Sequence, residues 1–395
     1  MTLSLHDCLR PEKALPVDRD KAILAGRLWR PELEGPSVVT LRGDELFDVS
    51  GEFPTMRDLC ETADPGKALR AAKGERVGKI EAALANTPAD KRNAAEPWLL
   101  APVDLQAVKA AGVTFAISML ERVIEERARG DYNAAAEIRK TVKALVGDDL
   151  RKLKPGSAQA MQLKETLIAQ GAWSQYLEVG IGPDAEVFTK AQVMSSVGTG
   201  ADGGLHAIST WNNPEPEIVL AVASTGKIVG ATLGNDINLR DVEGRSALLL
   251  SKAKDNNASC AIGPFLRFFD ESYSLDDVRK ATVTLEVSGP EGFKLKGSSS
   301  LSMISRDPAD IVGQTIGKHH QYPDGFVLFL GTMFAPVEDR DTKGKGFTHK
   351  EGDIVTIATE RLGSLTNRMR RSHECPPWTF GVSHLMRNLA KRGLV

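Results

Sequence analysis

From Leu177 to about residue 368 the chain breaks into short β-rich runs that Gly, Pro, Asn and Asp keep interrupting. EIVLAVA (217–223), KIVGATL (227–233), ATVTLEV (281–287), FVLFLGTMF (326–334) and DIVTIAT (353–359) are the clearest. Runs of this kind, without long helices between them, predict a rolled or sandwiched mixed sheet, not a doubly wound one. The fold class expected is therefore α+β, with a mostly-β main domain.

The region before those runs reads differently. Residues 37–51, SVVTLRGDELFDVSG, predict a hairpin with Gly43-Asp44 at its turn. Helical patterns follow at Thr55–Cys60 and Glu75–Ala85, and the polar stretch NTPADKRNAAEP (86–97) reads as a linker. Residues 1–98 are thus expected to form a small α/β domain, and 99–395 the larger one. Val113–Ile117 reads as a strand. Helices are predicted over Leu120–Ala128, Asn133–Leu145 and Ala158–Gln170, the last begun by Ser157. They make a helical insert at 119–172. A chain of 395 residues suits one large domain plus a smaller one. It has no internal repeat.

Composition excludes several classes of function. A net charge of −2 and 6% aromatic residues leave no basic, stacking surface for nucleic acid. No apolar run reaches the length of a membrane span, and MTLSLHDCLRPEK lacks the pattern of a signal peptide. The four cysteines, Cys8, Cys60, Cys260 and Cys375, form no CxxC pair and read as reduced thiols of a cytoplasmic protein. His373-Glu374-Cys375 precedes Pro376-Pro377 and reads as a loop, not a zinc site.

The segment at 212–245, NNPEPEIVLAVASTGKIVGATLGNDINLRDVEGR, carries the most chemistry. Glu215 and Glu217 are two apart, so on a strand they share a face. If Ser224–Lys227 is a tight turn centred on Thr225-Gly226, Glu217 opposes Gly234 and Glu215 opposes Asp236. Three carboxylates then converge on one patch. That patch is either a solvated acidic strand edge or a site for a hard divalent cation such as Mg²⁺, Mn²⁺ or Ca²⁺. A metal held there could take the carboxylate and keto oxygens of a 2-keto acid and stabilise an enolate. Lys254 is the candidate base, its pKa expected to be lowered beside a dication. Its other reading is a surface lysine. Gly198–Gly203 formally matches GxGxxG, but no helix pattern follows it, so no nucleotide site is expected. Arg122 sits on a charged helix face and has the geometry to pair with a substrate carboxylate.

Taken in order, AAGVTF (110–115), EPE (215–217), NDINLRD (235–241), AKDNNASCAIGP (253–264), PDGFVLFLGTMFAP (323–336) and FTHKEGDIV (347–355) resemble the fumarylacetoacetate hydrolase superfamily. The resemblance spans about residues 99–395. It implies that family's mixed β-roll, a metal triad at Glu215, Glu217 and Asp236, the family lysine at Lys254, and a substrate-holding Gly331-Thr332. Carbon–carbon hydrolases of the family carry NYxxH after the first strand. Here the stretch is Thr114-Phe115-Ala116-Ile117-Ser118, with serine in the histidine's place. Serine without a partner is not a base near neutral pH. The chain therefore looks like the family's dehydratase branch, which implies loss of water from a 2-keto-3-deoxy-D-pentonate to give 2,5-dioxopentanoate. Hydrolysis of a 2,4-diketo acid is the alternative. That branch places a second acid–base group at Glu186, in PDAEVFTK, whose other reading is a surface glutamate. Substrate contacts are expected at Ser118, Arg122, Lys190 and Thr332. The resemblance also implies Mg²⁺ as cofactor and a homodimer or homotetramer.

Overall fold

The computed structural model describes residues 4–395 except 116–118, 120, 121, 125, 128–152, 170, 172, 335, 337 and 342–345. Ser118 and the helix expected at 133–145 lie outside the described residues. Among the described residues no helix is long and apolar enough to cross a membrane.

Sixteen strands are described: β1 (Leu24–Arg30), β2 (Gly35–Arg42), β3 (Glu45–Asp48), β4 (Glu75–Lys79), β5 (Trp98–Leu100), β6 (Ala107–Gly112), β7 (Glu186–Ala191), β8 (Asp202–Leu205), β9 (Pro216–Val222), β10 (Ile228–Asp236), β11 (Cys260–Phe268), β12 (Thr282–Ser288), β13 (Lys294–Ser300), β14 (Phe326–Phe329), β15 (Ile354–Thr359) and β16 (Gly363–Arg371). They form two sheets. One runs β4-β3-β2-β1-β11-β10-β9-β14-β6-β7, with β5 beside β1, and the other runs β13-β12-β15-β16-β8. Most pairs are antiparallel, but β14–β6 and β16–β8 are parallel. This is the mostly-β, mixed-sheet α+β fold that the short punctuated runs predict.

Alternation along β9 and β10 sends side chains into two different cores. Ile218, Leu220 and Leu233 pack with Leu285, Val355, Ile357 and Leu365, between the sheets. Val219, Ala221 and Val229 face the opposite way and pack with Met56, Leu59 and Phe329. Burial on both faces explains why β9 reads as an unbroken apolar run. The three triad carboxylates lie on the second face.

The N-terminal strands continue the large sheet, because β1 pairs with β11. The expected boundary at residue 98 falls in β5, which pairs with β1. The predicted hairpin is present, with Arg42 opposite Glu45 across a two-residue turn. The helix predicted over Glu75–Ala85 is only half right. Glu75–Lys79 pairs with β3 as an edge strand, and the helix starts at Ile80. Gly78 lies inside the predicted helix, where glycine costs about 1 kcal/mol against alanine. The strand predicted at Val113–Ile117 lies earlier, at Ala107–Gly112. Val113 ends it by taking a left-handed φ of 56°, a sparsely populated conformation for a β-branched residue. Ala158–Ala169 is helical as predicted, and the Ser157 hydroxyl accepts from the Ala160 amide at 3.2 Å.

Candidate active site

β9 and β10 place the three carboxylates. Gly234 opposes Glu217 and Asn235 opposes Pro216, and the Asp236 amide donates to the Glu215 carbonyl at 3.1 Å. The register is the one the sequence predicts, but it arises by a different route. The connecting loop has three residues, Ser224–Gly226, in place of the expected two, since the Ala223 amide donates to the Lys227 carbonyl at 2.9 Å and Val222 pairs with Ile228. An irregularity between Ile228 and Gly230 then restores the offset. Glu215, Glu217 and Asp236 are fully buried, and each offers a carboxylate oxygen within 4.8 Å of the others. The solvated-edge reading is thereby excluded.

Cations and backbone donors surround the cluster. Lys254 ends the short helix Leu250–Lys254 and is buried. Its ammonium donates to Glu215 at 2.6 Å and to Asp236 at 2.9 Å, which rules out the surface reading. Lys190 lies 2.9 Å from the other Asp236 oxygen. Arg122 contacts Glu215 and pairs with Glu243 at 2.9 Å. Glu217 accepts from the Gly331 amide at 2.7 Å and from the Thr332 hydroxyl at 3.4 Å. Gly331 is required for this, because its φ of +99° is left-handed and a Cβ there would meet Thr114 Oγ1 at 2.0 Å.

The carboxyl groups titrate far apart. Burial raises the pKa of Glu215, but Lys254 and Arg122 outweigh it and hold the group near 2. Burial and the negative charges of Asp236 and Glu215 push Glu217 well up. Burial, with Glu243, also pushes Glu186 up to about 7, against Arg122 and Lys254. Lys254 departs from expectation. Burial lowers its pKa, but Asp236 and Glu215 raise it further, so its net shift is upward and the lysine is cationic.

Of the expected site residues, Glu186, Lys190, Glu215, Glu217, Asp236, Lys254, Arg122 and Thr332 belong to one constellation. Lys190, expected at the substrate, is wholly enclosed. Glu243 is a participant that the sequence reading passed over. Its signal was the charge of Arg240-Asp241-Val242-Glu243 immediately after the triad aspartate. The donor set fits a hard divalent cation, being all oxygen, anionic and enclosed. Burial first, and then the like charges of Asp236 and Glu215, raise the pKa of Glu217, and the repulsion among them is of the kind such a cation relieves.

Residues 220–370 match the fumarylacetoacetate (FAA) hydrolase C-terminal family. Over 189 residues the chain is 30% identical to the 2-dehydro-3-deoxy-D-arabinonate dehydratase of Saccharolobus solfataricus, which covers 47% of this chain and 59% of the relative. Over 192 residues it is 29% identical to a probable 2-keto-3-deoxyxylonate dehydratase of Haloferax volcanii, covering 49% and 62%. These matches span about six-tenths of the curated relatives' length. Among solved structures, a 2-keto-3-deoxy-D-arabinonate dehydratase complexed with magnesium and 2,5-dioxopentanoate superposes with a TM-score of 0.59. It has 19% identity and covers 88% of this chain and 99% of its own. That likeness establishes the fold. Residues 220–370 are thus similar to a fumarylacetoacetate hydrolase C-terminal domain. The chain's curated relatives are dehydratases of 2-keto-3-deoxy pentonates.

Proposed function

We propose that this protein is a hydro-lyase that dehydrates a 2-keto-3-deoxy-D-pentonate to 2,5-dioxopentanoate, with Mg²⁺ held by Glu215, Glu217 and Asp236. The observation that carries the reading is the buried triad with Lys254 across two of its members. The names of the relatives support the choice of substrate. Mn²⁺ or Ca²⁺ would suit the same oxygens.

When bound, the metal supplies a Lewis acid that polarises the 2-keto group and acidifies C3. Lys254 takes the C3 proton at Nζ. The carboxylates that raise its pKa most, Asp236 and Glu215, are the groups whose charge a dication would engage. The influences then left on Lys254 are burial and Arg122, which lower its pKa, and Glu243, which raises it. The C3–H electron pair forms the C3–C4 double bond as the C4 hydroxyl departs, and Glu186 supplies the proton that makes it water. With a pKa near 7, Glu186 is populated in both forms at neutral pH, as a general acid–base requires. Loss of a C5 proton and return of one to C3 then give a C4–C5 enol, and loss of its hydroxyl proton with protonation at C4 gives the C5 aldehyde. Arg122 orients Glu215 and offers positive charge to the substrate carboxylate, and Thr332 holds Glu217. Ser118 is retained in the proposal as a substrate contact.

The test is turnover of 2-keto-3-deoxy-D-pentonate before and after removal of divalent ions. Activity should vanish with a chelator and return with Mg²⁺ or Mn²⁺. Full activity in metal-free protein would end the proposal.

A further inference from the structure

Lys190 enters the site through an irregularity in its own strand. β7 pairs with β6 as Glu186–Gly112, Phe188–Ala110 and Thr189–Lys109, but Ala191 then pairs with Val108. Lys190 is the extra residue, the signature of a bulge, and bulges often re-aim a side chain beside an active site. Its side chain is 0% exposed. The ammonium donates to the Ile237 carbonyl at 3.3 Å and to the Lys254 carbonyl. It also lies 2.9 Å from Asp236 Oδ1, as an ion pair and not an aligned hydrogen bond.

These partners belong to two separate segments. Asp236 ends β10 and Ile237 follows it, whereas Lys254 ends a helix from the following segment. One buried charge therefore joins a proposed metal ligand to the main chain of the proposed base. It also divides the work of the Asp236 carboxylate, because Lys190 takes Oδ1 while Oδ2 faces Lys254. The Ser259 hydroxyl donates to the same Lys254 carbonyl at 2.7 Å and strengthens the anchor. Burying an ammonium is costly unless it is paired and hydrogen-bonded. A methionine of similar length would fill this space without that cost, so charge at this position calls for a reason beyond packing.

We infer that Lys190 is a positioning residue: it fixes Asp236 so that one oxygen, Oδ2, is presented to the metal, and it sets the spacing between that oxygen and Lys254. The inference rests on the functional reading above. An enclosed side chain that holds a ligand in place should act on metal affinity and on the chemical step, and little on substrate affinity.

The test compares wild type with Lys190→Met and Lys190→Gln. Folding is followed by thermal melting, Mn²⁺ binding by titration with paramagnetic-resonance detection, and kcat and KM at saturating metal. Outer-shell partners of metal ligands typically contribute about 10–100-fold in affinity or activity. Mn²⁺ affinity should weaken by roughly tenfold or more, and kcat should fall by a similar factor while KM stays near wild type. Asp236→Asn combined with Lys190→Met should bind Mn²⁺ no worse than Asp236→Asn alone, because the lysine acts through the aspartate. A folded variant with unaltered Mn²⁺ affinity and kcat overturns the inference and leaves the functional reading standing. Wild type that binds no Mn²⁺ overturns both. If neither variant folds, Lys190 belongs to stability alone and the inference fails.

Discussion

The carboxyl of Glu186 occupies the space in front of Gly112, its partner across β6 and β7. A Cβ built on Gly112 would lie 1.9 Å from Glu186 Oε2. The glycine is what lets this glutamate fold back over its neighbouring strand and reach the charges of Arg122, Glu243 and Lys254. Gly112→Ala should therefore displace Glu186. We expect a folded protein whose kcat falls toward that of a glutamate deletion, by ~10²-fold or more. Steady-state kinetics alongside thermal melting measure this. An unchanged kcat would mean that Glu186 acts from another position or not at all.

The raised pKa of Glu186 fixes the sign of two pH effects. The folded protein holds this proton to about 7, above the usual glutamate value of 4.5. Between those values the native state binds more protons than the unfolded chain, so this group makes stability fall as pH rises through that window. As the general acid, Glu186 must be protonated, so kcat should also decline as pH rises through about 7. Glu186→Gln keeps the shape but carries no ionisable proton. It should lose ~10²–10⁴-fold in rate and melt higher than wild type at pH 8. A variant that is equally active, or melts lower there, contradicts the assignment.

Lys254 has opposite meanings for stability and for chemistry. In the metal-free protein its ammonium neutralises two buried carboxylates, and removing one partner of a buried pair typically costs about 3–5 kcal/mol. Lys254→Met should therefore melt well below wild type without metal. Added Mg²⁺ should restore most of the loss by engaging the same carboxylates. The rescued variant should remain slower by ~10²–10⁴-fold for want of its base. Thermal melting over a Mg²⁺ series tests this, and a melting point that ignores Mg²⁺ would count against the triad as a metal site.

Glu217 gives a separate check on that triad. Its carboxyl is held by the Gly331 amide and the Thr332 hydroxyl, and the negative charge of Asp236 and Glu215 is unfavourable to it. Glu217→Ala should relieve that repulsion and so remain folded, while losing Mn²⁺ affinity. Calorimetric titration measures the binding, and retention of wild-type affinity would remove Glu217 from the metal.

The triad was legible because β periodicity and one turn suffice to bring Glu215, Glu217 and Asp236 together. The three-residue loop and the irregularity near Val229 each shift the pairing by one residue, and the two shifts cancel. Lys254 was legible as a residue but not in its charge state, which depends on carboxylates eighteen and thirty-nine positions away. The enclosure of Lys190 was not legible, because a bulge leaves no signature in residue types. Nor was β4, whose pairing with β3 is a tertiary contact made against a helical pattern. The close approach of Glu186 to Gly112 likewise depends on strands separated in sequence by the whole helical insert.

The central claim is elimination of water without cleavage of carbon–carbon bonds. Mass spectrometry of the product from 2-keto-3-deoxy-D-pentonate, with Mg²⁺ present, tests it most directly. The account predicts a product lighter by one water, with all five carbons retained and an aldehyde at C5. If that acid is untouched while a 2,4-diketo acid is split into pyruvate and a second acid, the protein is a hydrolase and the account is wrong.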